Sequence, residues 1–104
     1  MATIKLTKKA INDIKKIYDY ILEDSQQNAD NVKADILQSI NHLGLFPLMG
    51  TSLAKKINTK TDYRVLITGK FLVFYKINEN VVNIYRVLSS DMDYIKILFK
   101  WLSL

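Results

Sequence analysis

Apolar residues recur along the first half of the chain at three- and four-residue spacing, and along the second half at every other position. Residues 2–6 (Ala-Thr-Ile-Lys-Leu) partly alternate, which predicts a short strand. Thr7 stands as a helix N-cap. After it, Ala10, Ile11, Ile14, Ile17, Tyr18, Ile21 and Leu22 form one apolar stripe, with Lys8, Asp13, Lys15, Lys16, Asp19 and Glu23 on the other face. Ser25-Gln26-Gln27-Asn28 breaks the period. A second helix follows, carried by Ala29, Val32, Ile36, Ile40 and Leu43 and closed by Gly44 in a left-handed cap. The short break makes the two helices a hairpin, and Leu45-Phe46-Pro47-Leu48-Met49-Gly50 leaves it as an apolar loop.

From Ser52 the period shortens to two. Ser52–Ile57 reads as a weak strand, with stronger ones at 63–67, 71–77 and 81–88. Thr68-Gly69-Lys70 and Asn78-Glu79-Asn80 are turns too short for a crossover, so these strands predict an antiparallel meander. On the last strand, strict alternation puts Val81, Tyr85 and Val87 on one side and Val82, Ile84 and Leu88 on the other, so both faces need cover. The hairpin covers one. The other falls to a bound partner or to a C-terminal segment with Ile95, Leu98, Phe99 and Leu102 at helical spacing, opened by Ser90 and Asp93 as a capping pair. Phe99 and Trp101 near the chain end could equally form an exposed patch. The expected fold is α+β and a single domain over 1–104: an N-terminal strand, an antiparallel helical hairpin packed on an antiparallel meander, and a short C-terminal helix.

Composition narrows the chemistry. A chain of 104 residues with 49% hydrophobic content can bury a core without staples. It has no cysteine, which suits a reducing compartment, and one histidine (His42), so the usual zinc ligand sets cannot form and neither metal nor cofactor is expected. The longest pure apolar run, Phe71–Tyr75, is far short of a membrane span, and the N-terminus lacks the apolar stretch of a signal peptide. A cytoplasmic protein with no membrane partner is therefore expected. The net charge of +5 lies wholly in residues 53–104, where nine basic residues face four acids. Such a field suits an acidic partner, whether nucleic acid or protein.

Several stretches occur together in an order worth noting. They are Ala10-x-x-Asp13-Ile14-x-x-Ile17-x-x-Tyr20-Ile21, Leu43-x-x-x-Pro47-x-x-Gly50, Tyr63-Arg64-Val65-Leu66, Phe71–Ile77 and Val82-Asn83-Ile84-Tyr85-Arg86-Val87-Leu88. In order and spacing the chain resembles the RelE/ParE superfamily, the toxins of type II toxin–antitoxin modules. That resemblance implies growth arrest, neutralisation by a cognate antitoxin laid across an apolar sheet face or hairpin groove, and one of two targets. RelE-like members cleave messenger RNA on the ribosome, and ParE-like members poison DNA gyrase. A weakened member kept for its antitoxin complex and for autoregulation is the alternative.

Messenger RNA cleavage needs a group to guide a ribose proton and cations to stabilise the charged phosphate. Many members carry a Leu-His-Gly-Arg-like turn after the last strand. Here Ser89 and Asp91 hold the His and Arg places, and Leu72 stands where RelE carries a catalytic arginine. The residues left as candidates are Arg64 and Tyr94 for catalysis, and Lys55, Lys56, Lys70, Lys76 and Arg86 for binding. Arg64 reads as a phosphate or acidic-partner contact, or as a sheet arginine pairing with Asp62 or Glu79. Arg86, between apolar neighbours, reads as a contact or as a structural ion pair. Tyr18, Tyr75 and Tyr85 fall on apolar stripes and are expected in the core.

Overall fold

A computed structural model describes residues 1–58 and 60–102, the last part without the side chains of Phe99, Trp101 and Leu102, so the proposed Phe99–Trp101 patch lies outside the described residues. The order of elements is β1 (Thr3–Leu6), α1 (Lys8–Leu22), α2 (Gln26–His42), β2 (Thr51–Ser52), α3 (Leu53–Ile57), β3 (Arg64–Thr68), β4 (Phe71–Asn78), β5 (Val81–Ser89) and α4 (Tyr94–Leu102). The strands form one sheet in the order β1-β5-β4-β3-β2. The expected meander is present, β3 with β4 and β4 with β5 both antiparallel. β1 adds to its far side, parallel to β5, with Thr3 opposite Val81 and Leu6 opposite Ile84.

Local chemistry sets the helix starts. The Thr7 hydroxyl accepts from the Ala10 amide (3.0 Å) and donates to the Tyr85 carbonyl (2.9 Å), so one side chain caps α1 and ties it to β5. Ser25 caps α2 by accepting from the Asn28 amide at 3.2 Å. The helix therefore starts at Gln26, and the connection is shorter than the Ser25–Asn28 break implied.

Four other expectations are corrected. Gly44 is not a left-handed cap; α2 closes through Leu43 in a right-handed conformation, and a methyl group on Gly44 would lie 3.2 Å from the Ala2 carbonyl oxygen. The chain just before β1 passes close to the end of α2 there, so a side chain at position 44 would be tightly packed. The expected strand over Ser52–Ile57 is a helical turn, Leu53–Ile57, entered from the two-residue strand Thr51–Ser52, because Leu53 and Ile57, four apart, both reach the sheet. Ser90 does not cap α4; the Asp93 carboxylate does, accepting from the Lys96 amide at 3.3 Å. Strict alternation on β5 fails because a bulge opposite Phe74/Tyr75 shifts the register, pairing Tyr75 with Ile84 and Phe74 with Arg86. Val82, Ile84 and Val87 consequently all join the core under the hairpin, and Leu88 turns outward.

Two apolar clusters result. On the hairpin side, Ala10, Ile14, Ile36, Ile40 and Leu43 pack on Val73, Tyr75, Val82, Ile84 and Val87. On the outer side, Leu53, Val65, Leu72, Phe74 and Leu88 surround a fully buried Leu98 of α4. The C-terminal segment is thus a cover of the second sheet face. No helix among the described residues is long and apolar enough to cross a membrane.

Candidate functional site

The family-like positions Pro47, Gly50, Arg64 and Tyr75 converge on one hydrogen-bond network. Arg64 opens β3 directly opposite Tyr75 on β4, so both side chains point to the hairpin side. The fully buried Tyr75 hydroxyl donates to the Pro47 carbonyl (2.7 Å) and accepts from the Gly50 amide (3.0 Å). Arg64 donates from Nε to that hydroxyl (3.4 Å), and from Nη2 to the carbonyls of Leu48 (3.2 Å) and Gly50. Neither Asp62 nor Glu79 is among these partners. Gly50 is required by proximity, since a methyl group there would sit 2.6 Å from the Val65 carbonyl oxygen.

Tyr94 opens α4 on the other side of the sheet, its ring 6.2 Å from that of Phe74 and packed against the outer cluster. The two catalytic candidates, Arg64 and Tyr94, therefore belong to opposite faces. Leu72 is buried among the outer apolar residues. After β5, the Asp91 amide donates to the Ser89 hydroxyl (3.2 Å) and the Ser90 amide to the Lys70 carbonyl (2.7 Å), so the turn is fastened to the β3–β4 turn.

The binding candidates divide. Lys76 shares the outer face with Tyr63 and Tyr85: its ammonium lies 4.5 Å from the centre of the Tyr63 ring, and the two tyrosine rings meet edge to face at 5.2 Å. Burial, and then the neighbouring Tyr85, push the Tyr63 phenol above the ordinary tyrosine range. Pairing of Lys5 and Lys76 with Asn83 extends this cluster into a polar row across β1, β5 and β4. Tyr85, expected in the core, is half-buried here instead, turned by the bulge. Lys55 and Lys56 are exposed on α3. Arg86 is engaged by Asp13 of α1, with Nε to Oδ2 at 2.7 Å and Nη2 to Oδ1 at 3.0 Å; the same carboxylate accepts from the Val87 amide at 3.0 Å. β1 ends at Leu6, so Asp13 takes over the free edge of β5 where the strand stops.

Lys70 lines a cleft of about 700 Å³ between the end of the hairpin and the sheet, with Ile17, Tyr20, Val32, Ile67-adjacent Thr68 and Phe71 among its walls. Sequence reasoning missed the Tyr75 network and the Tyr63–Lys76–Tyr85 cluster. The Leu43-x-x-x-Pro47-x-x-Gly50 spacing was a signal for the first; nothing in a linear pattern announces the second. Among the described residues no group of three or more His, Asp or Glu could hold a metal ion.

Comparison with known proteins gives a consistent result. The family model described as the ParE toxin of the type II toxin–antitoxin system parDE matches residues 4–94. A solved structure described as the chromosomal ParDE toxin–antitoxin system from P. aeruginosa superposes with a TM-score of 0.71 at 22% identity, covering 86% of this chain and 96% of that one. The toxin–antitoxin complex RelBE2 from Mycobacterium tuberculosis gives a TM-score of 0.65 at 20% identity, covering 85% and 96%. At these identities the two structures speak for the fold alone. No curated protein matches the sequence.

Proposed function

The chain belongs to the ParE family of type II toxin–antitoxin toxins, and from that membership we propose that it arrests growth by binding DNA gyrase and not by cutting messenger RNA. One observation carries the choice of target. Phosphodiester cleavage needs a proton-transfer group and cations within hydrogen-bond reach of one phosphate. Arg64 and Tyr94 lie on opposite faces of the sheet, and the Arg64 guanidinium already serves three oxygens of its own chain. Leu72, Leu88 and Leu98 fill the sheet face beside Tyr94 with apolar side chains.

In this reading Lys55, Lys56 and Lys76 supply electrostatic contacts to an acidic target surface. Arg86 is a structural partner of Asp13. The antitoxin lays an apolar segment into the cleft walled by Ile17, Tyr20, Val32 and Phe71, next to Lys70, and so holds the toxin in check. The similar solved structures, a ParDE system and the RelBE2 complex, support an antitoxin as the partner.

Two assays on the purified protein test the proposal. Added to gyrase with relaxed plasmid, it should suppress supercoiling or trap cleaved DNA at concentrations that leave ribosome-bound messenger RNA intact. Cut transcripts with unaffected gyrase would refute it, and a protein that arrests neither process nor growth would be a weakened member.

A further inference from the structure

The segment between α2 and β2 carries four outward apolar side chains: Leu45 (59% exposed), Phe46 (62%), Leu48 (71%) and Met49 (43%). Single exposed apolar residues need no explanation, but a cluster of this density marks a contact surface. The backbone beneath is fixed. The amides of Leu45 and Phe46 donate to the His42 carbonyl (3.1 and 2.9 Å), and that of Met49 to the Phe46 carbonyl (3.0 Å). The carbonyls of Pro47, Leu48 and Gly50 and the amide of Gly50 are held by Tyr75 and Arg64 from the sheet. A buried tyrosine and an arginine are thus spent on holding the backbone of a loop whose side chains face water. Such preorganisation reduces the ordering entropy lost on binding.

The surroundings indicate what the loop meets. Between Asp35 and Asp62 the chain has no acidic residue, while His42 precedes the loop and Lys55 and Lys56 follow it by one strand and one helical turn. The cleft walled by Asn28, Val32 and Ile36 lies toward the N-terminal end of α2, and the loop leaves the C-terminal end, so one segment can fill the cleft and leave the loop uncovered. We propose that Phe46 and Leu48 anchor the toxin in an apolar, acid-rimmed pocket of its protein target, with Lys55 and Lys56 meeting the rim. This inference rests on the reading that the target is a protein.

The test is the Phe46→Ser/Leu48→Gln double variant beside the wild type. Both side chains are exposed, so the variant should keep the thermal midpoint and the wild-type circular dichroism. Its half-inhibitory concentration against purified gyrase should rise at least about tenfold, the scale of losing an interfacial aromatic anchor. Affinity for the cognate antitoxin, and the sedimentation coefficient, should not change. Unchanged inhibition overturns the proposal. So does a loss confined to antitoxin binding, which would make the loop the antitoxin's surface, or a wild-type dimer that the variant abolishes, which would make it a self-contact. Should the wild type leave gyrase untouched, the choice of target fails by itself. Growth arrest in induced cells then reads the loop: a variant that no longer arrests supports it, and one that arrests like the wild type overturns it.

Discussion

Replacing Tyr75 with Phe removes one oxygen atom from a fully buried side chain and leaves its shape almost unchanged. The packing of the ring on the hairpin is kept, so the effect isolates the hydroxyl. That hydroxyl accepts from the amide of buried Gly50 and donates to the Pro47 carbonyl, at 3.0 and 2.7 Å. The carbonyl lies near the surface and can turn to water. The Gly50 amide cannot, and an orphaned buried donor costs about 1–3 kcal/mol, while the Pro47 bond, which water replaces, adds little. The 3.4 Å contact from Arg64 Nε is long and contributes little. A loss of about 2–3 kcal/mol follows. With a urea slope of roughly 1–1.5 kcal/mol/M for a domain of this size, the unfolding midpoint should fall by roughly 1.3–3 M. Hydrogen exchange at the Gly50 amide should quicken in the same variant. Tyr18→Phe is the control: its hydroxyl bonds Asp30 at 2.7 Å but on the surface, and its midpoint should match the wild type. A Tyr75→Phe midpoint within about 0.2 M of wild type, with Gly50 exchange unaltered, would refute the claim that this hydroxyl holds the loop.

Three further predictions use the same assays. Gly50→Ala places a methyl group 2.6 Å from the Val65 carbonyl oxygen and 2.7 Å from the Tyr75 hydroxyl, so it should destabilise by about 2 kcal/mol or more, with the loop amides exchanging fastest. Asp13→Ala strips Arg86 of its bidentate partner and the Val87 amide of its acceptor, in a half-buried setting, and should cost about 2–4 kcal/mol; Asp13→Asn should recover part of it. Burial raises the Tyr63 phenol above its ordinary 10.0, so the folded state prefers the protonated form. That contribution is complete below pH 10 and lost as pH climbs through the raised value; Tyr63→Phe should flatten the decline in unfolding midpoint on the alkaline side.

What a linear reading can see is local. The 3.6-residue stripe of Ala10, Ile14 and Ile17 and the alternation in Phe71–Ile77 each record one face of one element, and both elements appear where expected. Arg64 reads in two ways because a strand arginine between Tyr63 and Val65 gives no sign of the carbonyls 14 and 16 residues upstream that it bonds. Tyr85 was misplaced for a sharper reason. A bulge adds one residue to a strand without altering its composition, so every position beyond it changes face silently. Leu53 and Ile57 fit either period in so short a stretch, and only the sheet beneath them decides for a helix. The second cover of the sheet was legible as a need with two candidates, a partner or the segment holding Leu98, and the packing of Leu98 on the outer face decides for the segment.

β1 has a temporal consequence. Its partner strand is the last of the sheet to be synthesised: Thr7 and the Tyr85 carbonyl it bonds are separated by 78 positions. A growing polypeptide can assemble α1 and α2 early, yet the sheet has no place for residues 3–6 until Val81–Ile84 have left the ribosome exit tunnel. At roughly 5–20 residues per second, that leaves several seconds in which the nascent toxin lacks its closed architecture. Translation itself therefore imposes a delay between the start of synthesis and the first harmful molecule, an interval in which a freshly made neutralising protein can already be waiting.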